Sequence, residues 1–110
     1  MTLTPKGFAL GMAPIYTLRP KEKPPQETLE VFYRLVAHLP DDVFIAAVEE
    51  VLSTHSYGFP QPGDVLDAAV DVVMAQQELS RGWARQVLDD YKRAHHKQLS
   101  AGKLKQLETP

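Results

Sequence analysis

Apolar residues recur at helical spacing over three successive stretches of the chain. The first stretch, residues 26–39, places them at i, i+3, i+4 and i+7, as Leu29, Phe32, Tyr33 and Val36. The same spacing returns from residue 41 to about 53 and again from 62 to 79. Connections this short predict helices that pack on one another, because none can bury its apolar stripe alone.

Prolines and acidic residues mark the boundaries of these helices. Pro40 predicts the end of the first helix, since a proline disfavours helical geometry in the residue before it. Asp41 and Asp42 suit the start of the second. The segment 57–63, Tyr-Gly-Phe-Pro-Gln-Pro-Gly, predicts a rigid hinge before the third helix. We expect its two aromatic residues, Tyr57 and Phe59, to close the open end of the helix pair.

The first 25 residues contain five prolines and two glycines, which makes a long helix there unfavourable. One short helix fits, with Thr4 as N-cap and Pro5 at the first helical position. Its apolar side would lie across the later helices and consist of Phe8, Met12, Ile15 and Tyr16. Residues 19–25, charged and rich in proline, are typical of a surface linker.

A fourth helix is predicted from about residue 81 to 99, on an apolar pattern that resumes at Trp83. The triplet Ser100-Ala101-Gly102 predicts its end, and the last eight residues are expected to be disordered. The fold class is therefore all-α, a small bundle of three to five helices with a proline-rich N-terminal segment and a flexible C-terminal end. We divide it into a helical body, residues 1–80, with its N-terminal segment at 1–25, and a basic C-terminal helix and tail, residues 81–110.

Composition limits the possible classes of protein. At 110 residues, the chain has material for one small domain. It contains no cysteine, which excludes disulfides and thiolate chemistry and fits the reducing cytoplasm. Neither a membrane-spanning run nor an export signal is recognisable. We expect a cytoplasmic protein without membrane partners.

The search for catalytic chemistry yields no site. The four histidines lack metal-ligand spacing, and His38 and His55 are interpreted as residues near helix C-termini, where partial protonation suits the helix dipole. Asp64, Asp67 and Asp71 share one helical stripe, which is more often a hydrated face than a cation site. No nucleophile motif and no phosphate-binding loop is present. The sequence therefore predicts no enzyme, no cofactor and no bound metal.

Charge is divided unevenly along the chain. Residues 1–80 carry five basic and eleven acidic side chains, a balance of −6, whereas residues 81–110 carry seven and three, a balance of +4. Such asymmetry is typical of an interaction segment. The candidate partner-binding residues of this segment are Arg81, Trp83, Arg85, Tyr91, Lys92, Arg93 and Lys97.

Three interpretations of this basic segment stay open. Basic and aromatic residues together can bind nucleic acid, although the pI near 6.0 is low for tight DNA binding. An acidic protein surface explains the same residues. The aromatic positions also fit the core side of a helix, which is the more common role of such a pattern. If residues 81–110 are a separate arm, removing them should leave the body folded.

Three stretches resemble the small bacteriophage proteins that load or inhibit the replicative helicase. They are Glu27-Thr-Leu-Glu-Val-Phe-Tyr-Arg-Leu-Val36, Asp41-Asp-Val-Phe-Ile-Ala-Ala-Val48 and Tyr57-Gly-Phe-Pro-Gln-Pro-Gly-Asp-Val65. The resemblance covers about residues 15–75 and consists of an aromatic pair, an Ala-Val step and a proline hinge.

That resemblance implies an all-α N-terminal domain and a C-terminal region that engages a hexameric replicative helicase and delivers it to an origin-bound initiator protein. Residues 81–105 would then face the helicase. The alternative is a small helical nucleic-acid-binding or regulatory protein that uses the same basic segment. A third possibility is an oligomeric structural protein, since an exposed stripe of Trp83, Val87 and Tyr91 would favour self-association.

Overall fold

The structure is a computed structural model that describes residues 2–18, 21, 23–54 and 59–108, with side chains as far as residue 99. Within these ranges it contains helices and no strand, which confirms the all-α prediction. The five helices are α1 (Pro5–Leu18), α2 (Gln26–Val36), α3 (Asp41–Thr54), α4 (Pro62–Gln77) and α5 (Arg81–Glu108). Helix α4 packs against α2, α3 and α5, while α1 packs on α3.

The predicted starts of α2, α3 and α4 are confirmed. Pro40 accepts the first helical bond of α3 from the Phe44 amide at 3.0 Å, and the Gln61 amide donates to the Asp64 carboxylate at 2.9 Å at the start of α4. Of the two hinge aromatics, Phe59 packs against the rings of Tyr16 and Phe32, with centroids 6.2 and 6.4 Å away. Tyr57 and His55 lie outside the described residues.

Helix α1 is longer than the short helix expected from the sequence, and it contains Pro14. Its start is as predicted: the Thr4 carbonyl accepts from the Phe8 amide at 2.9 Å and the Thr4 hydroxyl from the Gly7 amide at 3.0 Å. The Asp41 carboxylate fixes this cap by accepting from the Thr4 amide and hydroxyl, both at 2.8 Å. Burial of the α1 face stabilises the helix across Pro14.

Two glycines one helical turn apart allow α1 to lie close to α3. A Cβ at Gly7 would overlap with the Asp41 carboxylate, and one at Gly11 would overlap with the Phe44 ring, 2.7 Å from Cδ1. The glycines that argued against a helix in the sequence are therefore its contact surface. Fully buried Met12 and Ile15 complete the interface, as predicted, and Phe8 and Tyr16 pack at its edge.

This close approach makes Gly11→Ala a test of the α1–α3 contact. Alanine normally stabilises a helix relative to glycine by about 1 kcal/mol, but here we expect a net loss of about 1–2 kcal/mol of unfolding free energy from overpacking. Gly82→Ala in α5 is the matched control, since nothing lies within 4 Å of its Cβ position. Urea unfolding should show opposite signs for the two variants, and a stabilising Gly11→Ala would contradict the packing described.

The last helix departs most from the sequence prediction. It continues through Ser100-Ala101-Gly102 to Glu108 instead of ending near Leu99. With 28 residues it is about 42 Å long at 1.5 Å per residue, close to the molecule's longest dimension of 50 Å. From Lys92 to Leu99 no residue is fully buried. Its first half is therefore docked on the body, and the described side chains from Lys92 to Leu99 are mostly exposed.

Candidate functional site: two faces of the C-terminal helix

The start of α5 is fixed by the short connection from α4. Helix α4 ends where Glu78 adopts a left-handed backbone with φ of 52°, and the Leu79 amide donates to the Met74 carbonyl at 3.1 Å. The Ser80 carbonyl then accepts the first helical bond, from the Ala84 amide at 2.9 Å. Arg81 donates to Asp71 of α4 at 2.7 Å. These contacts set the rotation of α5 about its axis and so decide which side chains face outward.

One stripe of α5 belongs to the core. Ala84 is fully buried and Leu88 is 8% exposed, while Val87, Tyr91 and His95 are half-buried on the same side. The spacing of three and four residues is that of a helix face docked on a neighbour. Tyr91, one of the candidate partner-binding residues, thus contributes mainly to packing.

Trp83 lies outside this stripe, with 68% of its surface exposed. It precedes Ala84 by one residue and therefore points about 100° away from the core side. Arg93 and Lys97 follow ten and fourteen residues later, so they project within about 80° of the tryptophan. We call Trp83, Arg93 and Lys97 the outer face. Within it, Arg93 makes only a long, exposed ion pair of 3.8 Å with Asp90.

Arg85 and Lys92 lie on the opposite flank of α5, where they line a groove of about 710 Å³. The far wall consists of Arg34 and Leu35 at the end of α2 and of His38 in the turn that follows it, and the floor is formed by Leu66 and Val70 of α4 together with Leu88. Asp67, Asp89, His95, His96 and Leu99 complete the lining. We call this surface, with its cationic rim of Arg34, Arg85 and Lys92, the basic groove.

His38 is the most buried polar residue described in the structure, with 7% of its surface exposed. Its pKa is lowered to about 4, first by burial and then by the charges of Lys92, His95 and His96, while Asp89 opposes the shift. The residue is therefore a neutral imidazole at the wall of the groove, and not the partly protonated residue expected at a helix terminus. Burial also lowers the pKa of His95, with His96 adding to the effect. Its Nδ1 atom is buried and has no hydrogen-bond partner among the described residues.

Replacing His38 tests this neutral state. In the unfolded chain an imidazole has a pKa near 6.5, so below that pH the unfolded state binds a proton that the folded state does not, and stability falls as pH drops toward 4. The groups facing His38 are Lys92, His95, His96 and Asp89, with Arg34 and Asp67 lining the same groove.

We expect the loss of unfolding free energy between pH 7 and pH 5 to be smaller in His38→Gln than in the wild type, by about 1–2 kcal/mol. The exposed His96, as His96→Gln, is the control. Chemical unfolding at the two pH values measures the difference. Equal losses in wild type and His38→Gln would mean that His38 is protonated in the folded protein.

The acidic stripe of α4 forms a second, smaller hollow with α3. Asp64, Asp67 and Asp71 line it with Glu50, whose pKa is raised first by burial and then by the charge of Asp71 and a hydrogen bond with it. Among the described residues, no group of three or more acidic or histidine side chains is arranged to hold a metal ion. The stripe is a partly hydrated face with one ion pair, Asp71 to Arg81.

The seven candidate partner-binding residues are thus distributed over three environments. Trp83, Arg93 and Lys97 lie on the outer face, Arg85 and Lys92 line the basic groove, and Arg81 and Tyr91 are engaged with the body. Sequence reasoning missed Arg34, Leu35 and His38 as members of the same region. They lie about fifty residues earlier, and only the docking of α2 and α5 on α4 brings them to the groove.

The fold and its surfaces define a class, a small all-α protein with an exposed tryptophan and a cationic groove on its C-terminal helix. No protein-family model, no curated protein and no solved structure matches the chain. None of the described helices has an apolar stretch long enough to cross a lipid bilayer.

Proposed function

We propose that the protein is a non-enzymatic adaptor of DNA replication that binds a hexameric replicative helicase through the outer face of α5. An origin-bound initiator protein is the second partner in this proposal. The observation that carries it is the exposure of Trp83 on a helix whose neighbouring residues, Ala84 and Leu88, are buried in the body. An exposed tryptophan on a helix that is itself docked on the body is a typical energetic centre of a protein interface.

The helicase as partner is supported by the resemblance of residues 15–75 to helicase loaders. The geometry supports the more general proposal that the outer face binds a protein. Arg93 and Lys97 lie about 15 and 21 Å further along the helix axis from Trp83, and their charges favour a partner with an acidic patch. Only two cations accompany the tryptophan, and Asp90 offsets one of them. Tight binding to DNA normally requires more phosphate contacts than this surface offers.

A binding experiment with a purified hexameric replicative helicase tests the proposal. Size-exclusion chromatography should show a complex, and Trp83→Ala should weaken it at least about tenfold, as expected for a central tryptophan. Leu10→Ala is the matched control, because Leu10 is a comparably exposed apolar residue, 57% against 68%, on α1. Both variants should unfold at the wild-type denaturant concentration, since surface truncations cost about 0.5 kcal/mol or less.

The same preparation should be mixed with single- and double-stranded DNA at low and moderate salt. A salt-sensitive DNA complex without any helicase complex would replace the adaptor proposal by the nucleic-acid-binding alternative. A helicase complex that Trp83→Ala leaves unchanged would move the contact away from the outer face.

A further inference from the structure

The basic groove is a second surface that the outer face does not explain. It lies on the other flank of α5, with a far wall at the end of α2 and a floor that α4 helps to form. We propose that the basic groove binds an acidic, amphipathic helical segment of a protein partner. This inference rests on the groove alone and holds whether or not a helicase binds at Trp83.

The shape of the groove suits an elongated occupant. Along α5 it extends from Arg85 to Leu99, which is about 21 Å at the rise of a helix, the length of a helical segment of about fourteen residues. Leu35 on one side and Leu99 on the other are 51% and 53% exposed, so apolar surface flanks the floor in contact with solvent. A helix laid between them would cover these two leucines together with Leu66, Val70 and Leu88.

The charge of the rim selects an acidic segment. Arg34, Arg85 and Lys92 surround the floor, and no ion pair involves any of them within the described part of the chain, where the two pairs are Arg81–Asp71 and Arg93–Asp90. Asp67 and Asp89 reduce the net charge of the groove lining to +1. The first 80 residues of the chain, by comparison, have a net charge of −6. The rim is therefore a positively charged patch on an acidic body. Such a patch attracts an acidic partner and repels a basic one.

The chemistry of the lining favours a peptide over a nucleic acid. The floor is formed by Leu66, Val70 and Leu88, which offer no aromatic face on which bases could stack. Asp67 and Asp89 also line the groove, and their charges oppose the closely spaced phosphates of a nucleic acid. An apolar floor with a cationic rim therefore fits an amphipathic peptide better than a nucleic acid.

Selection from a random peptide library tests this inference without knowledge of the natural partner. The full chain is the bait, and displayed peptides of about sixteen residues are long enough to span the groove as a helix. We expect the enriched peptides to be acidic, with apolar residues at i, i+3 or i+4 and i+7. Their synthetic forms should bind in a fluorescence anisotropy titration, and binding should weaken as salt rises, because exposed charges are screened.

Charge-reversal variants then locate the site. Arg85→Glu/Lys92→Glu should weaken the selected peptides at least about tenfold, since it replaces attraction by repulsion at the rim. Lys21→Glu/Lys23→Glu makes the same change of charge at two exposed residues before the start of α2, outside the groove, and should leave affinity within about twofold, since a distant position has little effect. Leu35→Asp, at an exposed position of the wall, should weaken binding without disturbing the fold.

Several results would overturn the proposal. They are the absence of enrichment, enrichment without acidic residues, equal losses in both charge-reversal pairs, or displacement of the selected peptides by single-stranded DNA. A homodimer that buries the groove and loses its stability in Leu35→Asp would also overturn it, since the occupant would then be a second copy of this chain. These outcomes can be interpreted even if the helicase experiment at Trp83 fails, because none of the variants used here changes a residue of the outer face.

Discussion

A chain that ends at Ser80 is expected to be strongly destabilised. Such a chain lacks Ala84 and Leu88, which belong to the same buried cluster as the valines of α4, and it lacks the half-buried Val87 and Tyr91 that pack against that cluster. Burying one leucine contributes about 1.5–3 kcal/mol. Removing the whole stripe should therefore cost at least about 4 kcal/mol, out of the 5–15 kcal/mol that a small domain typically possesses.

Equilibrium unfolding in urea measures this loss, with far-UV circular dichroism to follow the helices. A chain that ends at Leu99 is the control, since it retains every buried residue of α5 that the structure describes and should unfold at about the wild-type midpoint. A chain ending at Ser80 that still unfolds cooperatively at the wild-type midpoint would establish residues 81–110 as an arm separate from the body. The division at residue 80 is a prediction that this experiment decides.

The helical fold could be predicted because its signals are local. The starts of α2, α3 and α4 follow from Pro25, Pro40 and Pro62 and from the carboxylates beside the latter two, and the buried faces follow from the three- and four-residue spacing of apolar side chains. These signals depend on residues that lie close together in the chain, so a single sequence is enough to predict them. The same holds for Thr4, which caps α1 by accepting from the Gly7 amide three residues later, although Asp41 then fixes its position.

Tertiary contacts, and not local sequence signals, explain why α1 and the start of α5 are helical. Gly7 and Gly11 weaken an isolated helix, yet they let α1 reach Asp41 and the Phe44 ring, and the buried area stabilises a helix that propensity disfavours. Likewise Gly82 weakens the start of α5, which forms nevertheless because Ala84 and Leu88 are buried against the body.

The candidate site was predictable only in part, for a geometric reason. Charge asymmetry along the sequence indicates α5 as the exceptional element, but it does not give the rotation of the helix on α4. That rotation places Trp83 outside, Tyr91 against the core and Arg85 over the groove. No sequence signal connects Arg34 and His38 with α5, so the basic groove could not be predicted before the packing of these helices was known.

Phe44→Ala should destabilise the protein by about 3–5 kcal/mol, the usual cost of removing a buried aromatic ring. The ring is fully buried between α1 and α3, with Phe8 at a centroid distance of 5.6 Å and Gly11 against its edge. Phe59→Ala removes a ring that is only half-buried, so its cost should be smaller, about 1–3 kcal/mol. Urea unfolding of both variants gives the order, and a Phe59→Ala cost equal to that of Phe44→Ala would place the centre of the core at the hinge instead of the α1–α3 contact.

A double-mutant cycle tests the contact between Gly11 and Phe44 directly. Gly11→Ala is destabilising because its Cβ overlaps with the Phe44 ring, and Phe44→Ala removes that ring. In the Phe44→Ala background the overlap is absent, so Gly11→Ala should become neutral or stabilising, with a coupling of about 1–3 kcal/mol between the two sites. Additive effects would mean that α1 does not contact α3 through Gly11 and Phe44. Because the coupling requires both residues to touch, it tests the docking of α1 more directly than either single substitution does.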